Sequence, residues 1–390
     1  MPQLVTAAAA ERRSPGGTIT LLAWAHFLND GAANYLPGVL PAILGALTLP
    51  IASAGELMGV LIAFQALQPF AGVLADRRAT RALVTVGLAG SSLGAALIGW
   101  ASTPVMLIAA LVLIGICNTL FHPPALAGVR RLASGGGEHA TAFFLVGGEI
   151  GRGVWPLLAS ILVTAWGLHA LWVLSLAAIP TLPLLWMRAR PPEPTPPRLG
   201  AWHGLRRVSR PLRGLIAYSA LRAVLIIGVS AFVPLLWRER GGSLTEGAGL
   251  ITTMLVVGVI GNLGGAALAR RWGRRRPVLL ASAAWCVLLP AFLLSRGAWL
   301  WITMALFGIA VFATLPLTVL MCQDLLPRQH SLASGLALGF SNALGAAIVA
   351  ALGLFALAWG AQGVLWAIAA CGLAALLLAP ILPAAAAKVE

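Results

Sequence analysis

A few ionisable side chains interrupt long apolar stretches of this 390-residue chain, and these side chains could do chemistry. His26 and Asp30 lie four positions apart, and Glu149 and Arg152 lie three apart, so each pair shares one face of a helix. An ionisable group in such a helix is costly to bury and is therefore a functional candidate. The chemistry would be proton transfer at the carboxylates and anion binding at the arginine.

We predict proton coupling at Asp30, Glu149, His26 and His122. The alternative for His26 and Asp30 is a hydrogen-bond network that pins helix one to helix five. For the second pair, Glu149 takes the proton and releases Arg152 to bind an anionic substrate, or the reverse. The alternative is a static ion pair between helices one, four and five.

Substrate binding is predicted at Arg152, Arg222, Gln65, Asn118 and Asn342. The planar guanidinium of Arg222 matches the oxygens of a carboxylate or phosphonate. The alternative, with equal weight, is that Arg222 is the partner of Asp30 or Glu149.

His122 precedes two prolines, which bend a helix and free backbone carbonyls. It either titrates near neutral pH in a proton path or is satisfied by a freed carbonyl.

Composition identifies the elements that position these residues. Charged residues make up 9% of the chain and apolar residues 59%, whereas soluble domains have roughly 25% charged residues. Continuous apolar runs, each long enough to cross a ~30 Å hydrocarbon core, favour transmembrane helices. Twelve are predicted, at about 19–46, 54–74, 82–101, 104–128, 139–165, 169–188, 211–237, 247–268, 277–295, 299–323, 330–358 and 362–384.

The chain divides into two related groups of six helices. We predict an N-terminal bundle at 1–188, a Pro-rich cytoplasmic linker at 189–210 and a C-terminal bundle at 211–390. The sequence GVLADRRATR (72–81) is repeated 194 positions later within AALARRWGRRR (266–276). Two such repeats predict a pseudo-two-fold axis along the membrane normal and a cavity between the halves.

The net charge of +15 follows from the arrangement of the basic loops. If the N-terminus is cytoplasmic, 21 of the 26 Lys and Arg residues lie on the cytoplasmic side and three lie outside. This positive-inside bias predicts that both termini are cytoplasmic. It also favours a lipid bilayer as the partner of the basic loops and excludes nucleic acid.

Several of these motifs resemble a known family. GVLADRRATR resembles the loop between helices two and three of the major facilitator superfamily. Four stretches resemble its fosmidomycin-resistance branch: HFLNDGAANYLPGVLPAIL (26–44), Phe121–Pro123 with their neighbours, FFLVGGEIGRGVWPLLA (143–159) and QDLLPRQHSLASGLALGFSNALGA (323–346). The resemblance implies an all-α membrane fold of two pseudo-symmetric bundles and proton-coupled export of small molecules. Glu149 and Arg152 depart from the pattern of that branch.

The resemblance also implies a gate on the cytoplasmic side. Asp76, with Arg77 and Arg81, is similar to the family's latch between helices, and an acid–arginine tie at a helix end is breakable. Asp324 lies on the matching face of helix ten, as the partner of Asp76 or of Arg328.

We therefore predict a secondary transporter and not an enzyme. The chain has no phosphate-binding glycine loop, metal-ligand spacing or nucleophile elbow, so neither cofactor nor metal is expected. The predicted function is proton-coupled antiport, with efflux of a small anionic or zwitterionic molecule or drug and a link to antibiotic resistance. The alternative is a proton-coupled importer or a uniporter of a metabolite. We expect a monomer in the bacterial inner membrane.

Overall fold

The computed structural model describes residues 15–71, 80–132, 137–188, 209–326 and 330–383. Within these ranges every regular element is helical and no β-strand occurs. Most of the predicted linker, residues 189–208, lies outside the described ranges. We call residues 15–188 the first half and residues 209–383 the second half. The division into two bundles at the predicted boundaries stays a prediction.

We number twelve helical segments in the described residues and count a segment with an irregular turn as one. They are α1 (Pro15–Asn34 with Leu36–Ala46), α2 (Ser53–Ala71), α3 (Thr80–Ile98), α4 (Pro104–Leu132), α5 (Gly137–Trp166), α6 (Leu168–Arg188), α7 (Ser209–Glu239), α8 (Leu244–Trp272), α9 (Arg275–Leu294), α10 (Ala298–Leu325), α11 (His330–Ser334, Gly335–Phe340 and Ser341–Gly353) and α12 (Ala356–Leu378). By length and composition, α2 to α12 are eleven helices able to cross a membrane. This confirms the predicted all-α membrane architecture.

The first predicted helix, 19–46, is interrupted. Its two parts meet at Tyr35, and Pro37 occupies the first turn of the second part. Proline there is tolerated because the backbone N–H of a first turn has no intrahelical acceptor. The Tyr35 hydroxyl donates a hydrogen bond to the carbonyl oxygen of Ala95, which fixes the break against α3.

The two halves meet along two helix pairs, α2 with α11 and α5 with α8. The second part of α1 also packs against α7 and α8. Helix α7 is far more enclosed than the other membrane-crossing helices: 89% of its most apolar 18-residue stretch is buried, against 28–56% for the corresponding stretches of the others. A polar residue in the middle of α7 is therefore surrounded by protein and not by lipid.

Irregular backbone faces irregular backbone where α2 meets α11. Phe64–Leu67 of α2 form a 3₁₀ turn, and Gly335–Phe340 of α11 form a π-helical stretch that contacts it. A Cβ atom added at Gly339 would lie 2.3 Å from the carbonyl oxygen of Gln65. The two backbones thus approach at a distance that only glycine permits.

The repeat seen in the sequence reappears in the contacts at one end of the halves. The Arg81 guanidinium at the start of α3 lies 4.7 Å from the ring centroid of Trp186 at the end of α6. Arg275 at the start of α9 donates a hydrogen bond to the carbonyl oxygen of Pro380, just beyond α12. Both members of the second contact lie 194 positions after those of the first. The same basic anchor is therefore used in each half.

Candidate functional site

A buried cluster of ionisable side chains joins α1, α4 and α5, and Asp30 of α1 is its centre. The Asp30 side chain is 1% exposed. His122 Nε2 of α4 lies 2.9 Å from its Oδ1, and Arg152 Nη2 of α5 lies 2.9 Å from its Oδ2. His26 Nε2, one turn earlier in α1, lies 3.5 Å from Oδ2. The structure therefore brings together four of the residues to which sequence analysis assigned chemistry.

Backbone carbonyl groups orient both histidines of this cluster. His26 Nδ1 lies 2.8 Å from the carbonyl oxygen of Phe144, and His122 Nδ1 lies 2.8 Å from that of Asn118. A carbonyl oxygen only accepts, so each Nδ1 is assigned the proton and each Nε2 faces Asp30. The 2.9 Å contact between His122 Nε2 and Asp30 Oδ1 then requires a shared proton, because two bare lone pairs would repel.

Close helix packing places the cluster. A Cβ atom added at Gly148 would lie 2.3 Å from the His26 ring, and one at Gly151 would lie 2.1 Å from the carbonyl oxygen of Phe27. Glycine at these positions lets α5 approach α1 closely enough for Arg152 to reach Asp30.

Asn118 is part of the scaffold around Asp30 in this structure. Its side-chain oxygen accepts a hydrogen bond of 2.6 Å from Asn29 Nδ2, and its backbone carbonyl orients His122. Asn29 is fully buried and also lies 3.5 Å from Asp30 Oδ1. Asn29 was not among the residues predicted for the site, although its position next to Asp30 in an apolar helix was the available signal. The substrate contact predicted for Asn118 stays a prediction.

Arg152 lies between two carboxylates. Its Nη2 donates to Asp30, whereas its Nη1 lies 3.9 Å from Glu149 Oε1 in the same helix. Glu149 is 17% exposed and Arg152 is 30% exposed, so this end of the cluster is more open than Asp30. The pair predicted from the spacing in α5 therefore exists, but the shorter contact of Arg152 is with α1.

Arg222 is a buried cation in the middle of α7, on the other half. It is 1% exposed, and its Nε and Nη1 atoms have no hydrogen-bond partner in the part of the chain that the structure describes. Tyr218 of the same helix, and then Glu149 and Arg152 of α5, interact electrostatically with Arg222. The ion pairs of Asp30 are formed with its own half, so Arg222 is not the partner of Asp30 here. A desolvated arginine with free N–H groups can bind an anion.

Gln65 and Asn342, both predicted to contact substrate, contact each other. Asn342 Nδ2 of α11 donates a 3.2 Å hydrogen bond to Gln65 Oε1 of α2. This bond crosses between the two halves at the facing irregular segments. Their predicted role in binding cargo stays a prediction.

The predicted gate is described only in part. Asp76, Arg77 and Arg328 lie outside the described residues. Asp324 pairs with Arg274 at the start of α9. Arg274 was not predicted as a partner of Asp324, although the arginine-rich second copy of the repeat was a usable signal.

Three ligand atoms that could hold a metal ion come from His26, Asp30 and His122. These atoms all lie within 4.8 Å of one another. The Arg152 guanidinium already neutralises the same carboxylate, and a second cation at Asp30 would be repelled by it. We therefore interpret the group as a cluster of ion pairs and hydrogen bonds.

Comparison with known proteins decides the family. The family model described as Major Facilitator Superfamily matches residues 22–350, which include the Asp30 cluster and Arg222. The chain belongs to the Major Facilitator Superfamily. This confirms the resemblance inferred from the motifs.

Two relatives of this Major Facilitator Superfamily member align over most of its length. It is 25% identical over 376 residues to the MFS-type transporter YfnC of Bacillus subtilis (strain 168), covering 87% of this chain and 88% of the relative. It is 24% identical over 378 residues to the fosmidomycin resistance protein of Escherichia coli (strain K12), covering 91% of each. The chain is thus similar to transporters and is a multi-pass membrane protein.

Solved structures show the same fold. A bacterial homologue of the human lysosomal transporter Spinster, described as inward-facing and unoccupied, matches with a TM-score of 0.77 and 17% identity over 95% of each chain. The nucleoside transporter NupG matches with a TM-score of 0.77 and 13% identity, over 93% of this chain and 98% of that one. At these identities the likeness concerns the fold, which here is that of secondary transporters.

Proposed function

We propose that this Major Facilitator Superfamily member is a proton-coupled transporter of a small anionic or zwitterionic molecule. Its site combines an unpaired buried cation, Arg222, with a carboxylate, Glu149, that is more exposed than Asp30. The first group can bind an anionic substrate and the second can exchange a proton with the cavity. The observation that carries the proposal is Arg222, because the N–H groups of its Nε and Nη1 atoms are costly to bury without an acceptor.

The direction of transport is proposed from a relative. One relative is named a fosmidomycin resistance protein, and on that similarity we propose that this chain exports a drug or similar molecule across the bacterial inner membrane. In this proposal the basic loops and both termini face the cytoplasm, and the protein acts as a monomer by alternating access between two bundles, with residues 76, 77, 81 and 324 at the gate. Antiport of protons against cargo remains the form of coupling that the resemblance implies.

The second candidate is uptake of a metabolite together with protons. It is favoured by the position of Glu149 near two arginines, because a carboxylate in that place competes with an anionic cargo. Transport into vesicles with an imposed proton gradient separates the two candidates. Antiport predicts that cargo moves against the proton flow, whereas uptake predicts that both move together. Cargo movement that is independent of the gradient would contradict proton coupling.

A thermal-shift screen of the purified protein tests the anion site. Fosmidomycin, simple carboxylates, sulfonates and cationic drugs serve as probes, and we expect stabilisation by anions. Arg222→Gln should weaken anion binding by tenfold or more, which is about 1.4 kcal/mol, because it removes a charge-assisted contact. Arg296→Ala, at an exposed arginine between α9 and α10, is the matched control and should bind as the unmodified protein does. Stabilisation by cationic drugs alone would contradict an anionic cargo.

A further inference from the structure

Two polar side chains beside Arg222 have buried atoms without a hydrogen-bond partner. Ser219 precedes Arg222 by three residues on the same face of α7, and it is 1% exposed. Its Oγ has no partner in the part of the chain that the structure describes, and neither has Oδ1 of Asn262 in α8. Buried polar atoms without a partner are uncommon in folded proteins, so each one needs an explanation. A ligand that supplies the missing partner is such an explanation.

The antiparallel packing of α7 and α8 puts Asn262 and Ser219 at the same height along the helix axes. Pro234 of α7 lies opposite Gly247 of α8, where a Cβ atom added at the glycine would lie 3.1 Å from the Pro234 Cα. Fifteen residues from this contact, α7 has Ser219 and α8 has Asn262. Arg222 is three residues nearer the contact, which is about 4.5 Å along the axis of α7. The hydroxyl and the amide are therefore about one helical turn from the guanidinium.

Asn262 lies on the face of α8 that is directed into the protein. Gly265 packs against α10, since a Cβ atom added there would lie 2.1 Å from a carbonyl oxygen of that helix. Val256 packs against α5, with its Cγ2 2.7 Å from the position of a Cβ atom at Gly153. Ile260 is 60% exposed and marks the side of α8 that faces away from other helices. With about 3.6 residues per turn, Asn262 points between the first two faces and away from the third.

The charges around Arg222 match an anion of single charge. Asp30 and His122 share a proton and form a neutral pair. Arg152 and Arg222 are then opposed by one carboxylate, Glu149. The described cluster thus carries one net positive charge, which a single acidic group of the cargo balances.

We propose that Asn262 and Ser219 form a second part of the cargo site and bind a hydroxyl group of the cargo. A hydroxyl satisfies both residues at once, because it donates to Asn262 Oδ1 and accepts from the Ser219 hydroxyl. The cargo is then a hydroxylated monoanion, with its hydroxyl about 5 Å from the acidic group that binds Arg222. The inference rests on the proposed anion site and adds the class of molecule that the site selects.

Calorimetric titration of the full chain with three sulfonates tests the hydroxyl subsite. The probes are 3-hydroxypropanesulfonate, 3-methoxypropanesulfonate and propanesulfonate, which carry the same single charge and differ in whether they can donate a hydrogen bond. We expect the hydroxylated probe to bind about tenfold more tightly than either of the others, because they leave the buried Asn262 oxygen unpaired.

Asn262→Leu carries the decisive comparison. Leucine has a similar size and no acceptor, so 3-hydroxypropanesulfonate should lose about tenfold in affinity while propanesulfonate binds as before. Ser219→Ala should reduce the preference by a few-fold, and it serves as the test if Asn262→Leu does not fold. Thr253→Val is the matched control, because this residue lies nine positions earlier in α8 on the opposite face and should keep the full preference.

The possible outcomes separate this inference from the proposed function. Equal binding of the three probes, or a preference that both variants retain, would overturn the hydroxyl subsite and leave the anion site in place. So would an equal loss of all three probes in Asn262→Leu, which would give this residue a structural role only. Failure of all three probes to bind would also overturn the inference, and the anion site falls with it if no anion stabilises the protein in the thermal-shift screen.

Discussion

Helices α2 and α8 occupy equivalent places in the two repeats and both contact the other half, yet their closest backbone approaches differ. In α8, a Cβ atom at Gly261 would lie 2.2 Å from the Ile309 carbonyl oxygen, so this helix is pressed against α10 of its own half. The equivalent residue of α2, 194 positions earlier, is Leu67, which is 49% exposed. Helix α2 instead makes its closest approach to α11 of the other half, at Gly339.

The two halves also differ in where their charged residues lie. Helix α5 carries Glu149 and Arg152, whereas the equivalent positions of α11 carry Ala343 and Ala346. Asp30 in α1 corresponds to Val224 in α7, which is fully buried. Within the described residues, the first half therefore holds the ionisable cluster, and the second half contributes one buried cation, Arg222. Equivalent positions of the two repeats therefore differ in the charge that they carry.

The largest expected effect comes from removing the charge at the centre of the first half. Asp30→Asn leaves Arg152 without its short ion pair and should lower the free energy of unfolding by about 3–5 kcal/mol. Val224→Ala, at the equivalent position of the second half, removes two methyl groups and should cost about 2 kcal/mol. Thermal unfolding in detergent measures both. Equal losses in the free energy of unfolding would show that the Asp30 cluster contributes no more to stability than an ordinary buried apolar residue.

An intermediate effect should appear when the glycine packing of the second half is disturbed. Gly261→Ala pushes a methyl group against the backbone of α10 and should cost about 1–3 kcal/mol. Leu67→Ala, at the equivalent position of α2, should change stability by less than about 0.5 kcal/mol because the side chain is half exposed. The contrast between the halves fails if Leu67→Ala is the more damaging of the two substitutions.

The smallest effect is expected at the ion pair between α9 and α10. The Arg274 and Asp324 side chains are 30% and 29% exposed, so solvent screens their attraction. Arg274→Gln should cost less than about 1 kcal/mol, and the difference from the unmodified protein should shrink in high salt. Unfolding midpoints at two salt concentrations check this. A cost of several kcal/mol that salt does not reduce would mean that the pair is effectively buried.

Sequence alone predicted the helices well where the apolar pattern is continuous. The predicted span 139–165 is observed as Gly137–Trp166, and 211–237 is observed as Ser209–Glu239. The break in α1 was missed, although Pro37 was a visible signal for it. The π-helical stretch of α11 could not be predicted, because it accompanies contact with a helix more than 260 positions earlier in the chain.

The residues of the site could be predicted from the sequence, but which of them form ion pairs with each other could not. Spacing within one helix suggests that Arg152 pairs with Glu149, since local neighbours are all that a sequence shows directly. The structure gives the shorter contact to Asp30, which is 122 positions away. Likewise, nothing in the sequence shows that Gln65 and Asn342 meet each other, because that contact depends on how the two halves dock.

The 3₁₀ turn at Phe64–Leu67 has a consequence for the length of α2. A 3₁₀ turn rises about 2.0 Å per residue and an α-helix about 1.5 Å, so these four residues make the helix about 2 Å longer than regular winding would. Rewinding them as α-helix would draw one end of α2 along α11 by that distance. The position of α2 along α11 at the interface between the halves thus depends on whether these four residues are wound as a 3₁₀ turn or as an α-helix.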